Sequence, residues 1–170
     1  MITGFKEIGV YDIQDNTFKL FADDWMLITA GNLRKFNTMT ASWGTLGELW
    51  NKKVAFCFVR PTRHTYNFME ANDTFTLSFF DAKYRKALDF CGHHSGRSVD
   101  KVAKTGLTPL EWKKKAVYFQ QARLVLICKK VYMQDIDPKH FLDPEIDDNY
   151  PKKDYHRMYI GEIIRCLAAT

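Results

Sequence analysis

The chain has no C-x-x-C pair: Cys57, Cys91, Cys128 and Cys166 stand more than thirty residues apart. That spacing excludes a zinc knuckle and a dithiol redox site, and it predicts idle, buried thiols in a reducing cytoplasm. Long hydrophobic runs are also missing. Stretches such as Leu124 to Cys128 are far too short to span a bilayer, and Lys6 and Glu7 precede any apolar run, so neither a membrane span nor a secretory signal is expected. Gly44-Thr45-Leu46-Gly47 lacks the third glycine of a dinucleotide fingerprint and does not sit in a βαβ unit. No Walker loop and no G-x-S-x-G nucleophile turn occur, and no internal repeat is found.

Two further patterns fall short of metal sites. His93 and His94 are adjacent, so on a regular element they point apart, and they read as loop histidines. The acidic run Asp143, Glu145, Asp147, Asp148 has aspartate where a calcium loop needs glycine and reads as a solvated loop.

What is present is an ordinary soluble composition with an aromatic excess. Apolar residues make up 46% and charged residues 26%, while aromatics reach 15%, a share that suits a filled barrel or aromatic surfaces set aside for a ligand. At 170 residues, one domain over 1–170 is expected. The formal charge of +5 suits an anionic small molecule or nucleic acid. The basic pairs and triplets at 52–53, 113–115, 129–130 and 152–153 are scattered, which favours solvated faces over a nucleic-acid stripe.

Periodicity predicts many short strands. Phe5 to Val10 reads as an edge strand, and Asp15-Asn16 cap a brief helix through Phe21. Trp25 to Ala30 reads as a buried strand that Gly31-Asn32 turns into a second, Lys35 to Trp43, with one face mostly hydroxyl. Lys53 to Arg60 is a strand ended by Pro61, Thr65 to Ala71 a helix, and Thr74 to Phe80 a strand. Helices are predicted over Lys83 to Phe90, with Gly92 as a C-terminal cap, and over Val99 to Lys104, ended by Gly106. Ala116 to Asp135 suits two strands or one bent strand, Asp137 to Asp154 a polar surface excursion, and His156 to Leu167 a closing strand. The sum is a mainly β protein with short helices, a closed or split β-barrel.

The chemistry concentrates in Asn37 to Tyr66. Asn37, Thr38, Thr40, Ala41 and Ser42 are short residues that leave backbone amides accessible, and Trp43 follows with a flat apolar face. Beyond the next strand, Arg60, Arg63, His64 and Thr65 place guanidinium groups and a hydroxyl at a turn opening a helix, where free amides and the dipole favour an anion. Lys101 adds a point charge. Each alone reads as a surface residue, whereas together they suit a flat ring with an anionic tail.

Three segments, NTMTASWG over 37–44, VRPTRHT over 59–65 and GHHSGRSVDK over 92–101, resemble the flavin reductase-like family of FMN-binding split barrels, which includes flavoredoxins. His156 to Ile163 looks like the family's closing strand, so the likeness runs from about Trp25 onward. It implies a homodimer with one FMN per subunit near the interface. Asn37 and the amides of Thr40 to Ser42 would face the ring or ribityl chain, with Trp43 packed nearby; Arg63, Thr65 and Lys101 would hold the phosphate, and His156 would stand near the flavin. His64 departs from the tyrosine common in the family, and any C-terminal lid over the flavin is expected to be lacking or replaced by the excursion. The resemblance implies an FMN-dependent NAD(P)H oxidoreductase passing electrons to flavin, iron or a partner protein, with NADH or NADPH a transient donor. A flavoredoxin-like carrier with little nicotinamide reactivity is the alternative, and a small nucleic-acid-binding barrel is a third reading.

Overall fold

The computed structural model describes residues 4–170. Among the described residues ten strands carry the architecture. An eight-stranded antiparallel sheet runs in the order β3 (Lys35–Ala41), β2 (Met26–Asn32), β6 (Thr74–Phe79), β9 (Leu124–Asp135), β10 (Arg157–Ala169), β5 (Lys52–Val59) and β4 (Gly44–Leu49). The short β1 (Phe5–Ile8) pairs with the far end of β10. Thus β10 serves β5 with its first half and β1 with its last residues, bending at register shifts after Ile160 and Ile163.

Residues from opposite ends of this strand order meet inside. Met39 of β3 and Ala55, Cys57 and Val59 of β5 belong to one buried cluster with Phe75, Leu126 and Tyr159, so the sheet curls on itself around a common core. A second cluster, with Leu27, Tyr118, Phe119 and Ile127, lies on the outer face under β7 (Pro109–Trp112), β8 (Ala116–Phe119) and two helices. The protein is a split β-barrel with short helices, as the strand pattern predicts.

The helices are α1 (Thr17–Lys19), continued by a π turn over Leu20–Asp24, α2 (His64–Ala71), α3 (Arg85–His93) and α4 (Lys101–Thr105). Two of them correct the sequence reading. Gly92 lies inside α3, against β3, where a Cβ would already stand 3.4 Å from that of Thr40; the helix ends beyond it. His93 therefore closes the helix and does not sit in a loop, and α4 begins at Lys101 with Asp100 as its N-cap. Residues Gly44–Leu49, not assigned from sequence, form the strand that pairs with β5. All four cysteines are free and buried. Among the described residues no helix is long and apolar enough to cross a membrane.

Candidate functional site

Strand β3 and the first turn of α2 bring the chemistry together. Asn37 is buried and donates to Thr65 Oγ1 at 2.7 Å, tying the middle of the strand to the start of the helix. Two cavities open on either side of Met39 and Arg63, which line both.

The first cavity, about 210 Å³, is walled by Thr40, Ala41, Ser42, Trp43, Phe58, Arg60 and His156 in addition to that pair. Trp43 leaves 45% of its surface exposed and its ring centroid lies 5.1 Å from that of His156, with Phe58 at 6.4 Å from the same imidazole. Burial holds His156 down at about 4, reinforced by the charges of Arg60 and Arg63 against the opposing Asp154, so its ring is neutral at physiological pH. A flat ring with polar edges fits this wall.

The second cavity, about 150 Å³, gathers Thr62, His64, Thr65, Ser95, Arg97 and Lys101 beside Asn37. Lys101 is buried, and its ammonium donates to the carbonyls of Thr38 (2.7 Å) and Cys91 (2.8 Å). Arg63 donates to the Gly92 carbonyl at 2.6 Å and Arg97 to that of Thr62 at 3.4 Å. None of these cations forms an ion pair among the described residues, although the rest of the surface pairs charges freely. Burial, helped by the charge of Arg63 and opposed by Cys91, lowers Lys101 to about 8. Burial followed by the charges of Arg97, Lys101 and Lys35 also holds His64 below the usual imidazole range, and its Nδ1 is buried without a partner. In the first turn of α2 the Tyr66 amide donates to the Arg63 carbonyl, and the His64 and Thr65 amides add donors that no backbone carbonyl takes up. A site rich in positive charge and donors, with no carboxylate answering it, fits a phosphate.

Several of these side chains are already engaged within the fold. The hydroxyls of Thr38 and Thr40 are engaged within the fold: Thr38 Oγ1 meets Thr29 Oγ1 at 2.8 Å, and Thr40 Oγ1 donates to the Leu88 carbonyl. Thr40 therefore leaves its backbone for a ligand, and Thr38 lines a neighbouring cavity behind Lys101. Arg60 reaches the ring cavity but is held by Asp154 Oδ1 and the Asn149 carbonyl, each at 2.8 Å. Thr65 is fully buried. Sequence reasoning left out Phe58 and Arg97. Phe58 was legible as an outward position in the alternation of β5; Arg97 lay inside the quoted GHHSGRSVDK segment without a periodicity to mark it. His93 and His94 turn their Nδ1 atoms to the helix carbonyls of Asp89 and Phe90, and among the described residues no cluster of three or more His, Cys, Asp or Glu could hold a metal ion.

Comparison with solved structures places the fold beside split barrels that handle flavins. An FMN-binding domain of a flavin reductases-like enzyme from Shewanella baltica superposes with a TM-score of 0.68 at 14% identity, covering 97% of this chain and 77% of that one. Flavoredoxin of Desulfovibrio vulgaris gives 0.66 at 20% identity, covering 97% and 76%. An NADH:FAD oxidoreductase from Streptomyces globisporus gives 0.62 and 0.64 in its two structures, at 18% identity, covering 86% of this chain and 80–81% of that one. These identities speak for the fold alone. Comparison with curated protein sequences finds no match. Residues 18–170 match the family model described as the flavin reductase like domain, and the chain therefore belongs to the flavin reductase-like family.

Proposed function

We propose that this chain binds FMN and uses it as an NAD(P)H oxidoreductase, passing electrons to free flavin, iron or a partner protein. The observation that carries the reading is the pair of adjoining cavities, one walled by Trp43, Phe58 and neutral His156, the other by the unpaired cations Arg63, Arg97 and Lys101. Met39 and Arg63 join them, so a ring and a phosphate on one short tether are served at once. FMN, when bound, supplies hydride and single-electron chemistry at its ring, which asks no acid or base of the protein. The chain's part is placement. Lys101, Arg63, Arg97 and the α2 amides hold the phosphate; Asn37, whose amide nitrogen is held by Thr65 and the Thr38 carbonyl, keeps its Oδ1 for the tether. Trp43 covers the ring and limits water. We further propose a homodimer with the cofactor near its interface, a reading supported by the exposed ring of Trp43 at the cavity edge.

Purified protein incubated with FMN is expected to retain it and show the two-band flavin spectrum. A colourless protein that fails to take up FMN would sink the reading. Anaerobic titration with NADH and NADPH then separates a reductase, which bleaches rapidly, from a carrier of the flavoredoxin kind, which does not.

The lowered Lys101 gives a pH dependence. Below about 8 the amine is charged and attracts the phosphate; as pH rises through that value the ligand-free protein loses the charge. FMN binding, which favours the charged form, is therefore expected to weaken as pH climbs from 7 toward 9, with proton uptake on binding at the upper end. Flat affinity across that range would place the phosphate away from Lys101.

A further inference from the structure

The excursion Asp137 to Asp154 folds back beside the ring cavity, against Arg60 and His156 of its wall. Arg60 is its clamp: the guanidinium holds Asp154 and the Asn149 carbonyl and lies 4.8 Å from the centre of the Tyr150 ring. Thr62 adds a bond to Asp154 at 3.1 Å. Tyr150, only 2% exposed, is packed against Phe141 and Tyr155, and its hydroxyl stands 2.8 Å from Nδ1 of His156.

A neutral imidazole has one donor nitrogen and one acceptor. Burial raises the Tyr150 phenol further above neutrality, so it keeps its proton and can give the hydrogen bond to Nδ1. The imidazole proton is then on Nε2. That nitrogen makes no hydrogen bond to the described residues and is not among the buried unpartnered atoms, so it is open to the cavity that His156 lines.

We propose that Tyr150, carried to the site by the excursion, is a positioning residue that fixes His156 as the Nε2–H tautomer, a hydrogen-bond donor to a carbonyl oxygen or ring nitrogen of the flat ligand beside Trp43. The charged groups around the imidazole are Arg60, Arg63 and Asp154, and with burial they keep it neutral. A neutral donor polarises an acceptor without adding a full charge. Arg60 thus acts on the ring through the excursion and not through the phosphate. The identity of the ligand rests on the FMN reading, whereas the tautomer does not.

The test is nitrogen-15 NMR of the full chain labelled at histidine, near neutral pH, with and without FMN. His156 in the wild-type protein is expected to show the Nε2–H tautomer in both states. Tyr150→Phe is expected to give a mixture or the Nδ1–H form and to raise the FMN dissociation constant about three- to tenfold, the effect of one hydrogen bond. In a His156→Ala background the same substitution should add no further loss, which a merely structural tyrosine would not satisfy. An Nδ1–H tautomer in the wild type, an unchanged tautomer in Tyr150→Phe, or additive losses in the double variant would each overturn the proposal. Failure to bind FMN at all would sink the cofactor reading instead, and the tautomer of the ligand-free protein would still decide the pairing.

Discussion

Lys101→Met is expected to weaken FMN binding about a hundredfold, the scale of a charge-assisted hydrogen bond to phosphate lost from a buried site. Methionine keeps much of the length and volume of the stem, so the change removes charge more than packing. The lysine also bridges two elements, since its ammonium satisfies the Thr38 carbonyl on β3 and the Cys91 carbonyl on α3. Leaving those acceptors unpaired costs about 1–3 kcal/mol each, so a fall in thermal stability is expected as well. Arg63→Ala separates the two effects. Arg63 is exposed and holds only the Gly92 carbonyl, so its loss should leave stability nearly unchanged and weaken FMN about tenfold. Fluorescence titration of FMN beside thermal unfolding reads both quantities. Unchanged affinity in both variants would put the phosphate elsewhere.

The uneven roles of these cations explain how much of the site was legible in the sequence. Asn37, Trp43, Arg63 and Thr65 lie within one short stretch, and their residue types alone suggest a ring beside an anion. The strands β2, β3, β5 and β6 were likewise visible, because two-residue alternation, the Gly31 turn and Pro61 are local signals. What the stretch could not show is competition for its donors from distant parts of the chain. Arg60 looks like a phosphate ligand until Asp154, 94 residues later, takes its guanidinium. The Thr40 hydroxyl is likewise taken up from a distance, by the Leu88 carbonyl of α3. Glycine misled twice for the same reason. In Gly44-Thr45-Leu46-Gly47 it disguised a strand whose identity is set by pairing to β5, and Gly92 looked like a helix end when it is the point where α3 packs against β3. Each of these is a tertiary contact overriding a local preference.

Gly31→Ala is expected to destabilise the fold by about 3–4 kcal/mol, because it combines backbone strain with a collision that no side chain can relieve. Gly31 has φ +112°, a region that residues with a Cβ rarely adopt. Its Cβ would stand 2.3 Å from the Lys35 carbonyl oxygen and 2.7 Å from the Phe36 Cα, both backbone atoms of the paired strand. Relief therefore requires β2 and β3 to separate at the Gly31–Phe36 pair. The neighbouring pair is Ala30–Asn37, so the movement reaches the residue whose amide holds Thr65 at the start of α2. A fall in melting temperature of about 10 °C is expected for a chain of this size, and the protein that remains folded should hold FMN less tightly. Gly106→Ala supplies the comparison. Gly106 is also left-handed, at φ +69°, as the cap ending α4, but nothing lies within 4 Å of its added Cβ. Strain alone operates there, and a loss of about 1 kcal/mol is expected. Equal losses in the two variants would mean that backbone conformation, and not the approach of β3, is what requires glycine at position 31, and the link from that turn to the phosphate cavity would fall with it.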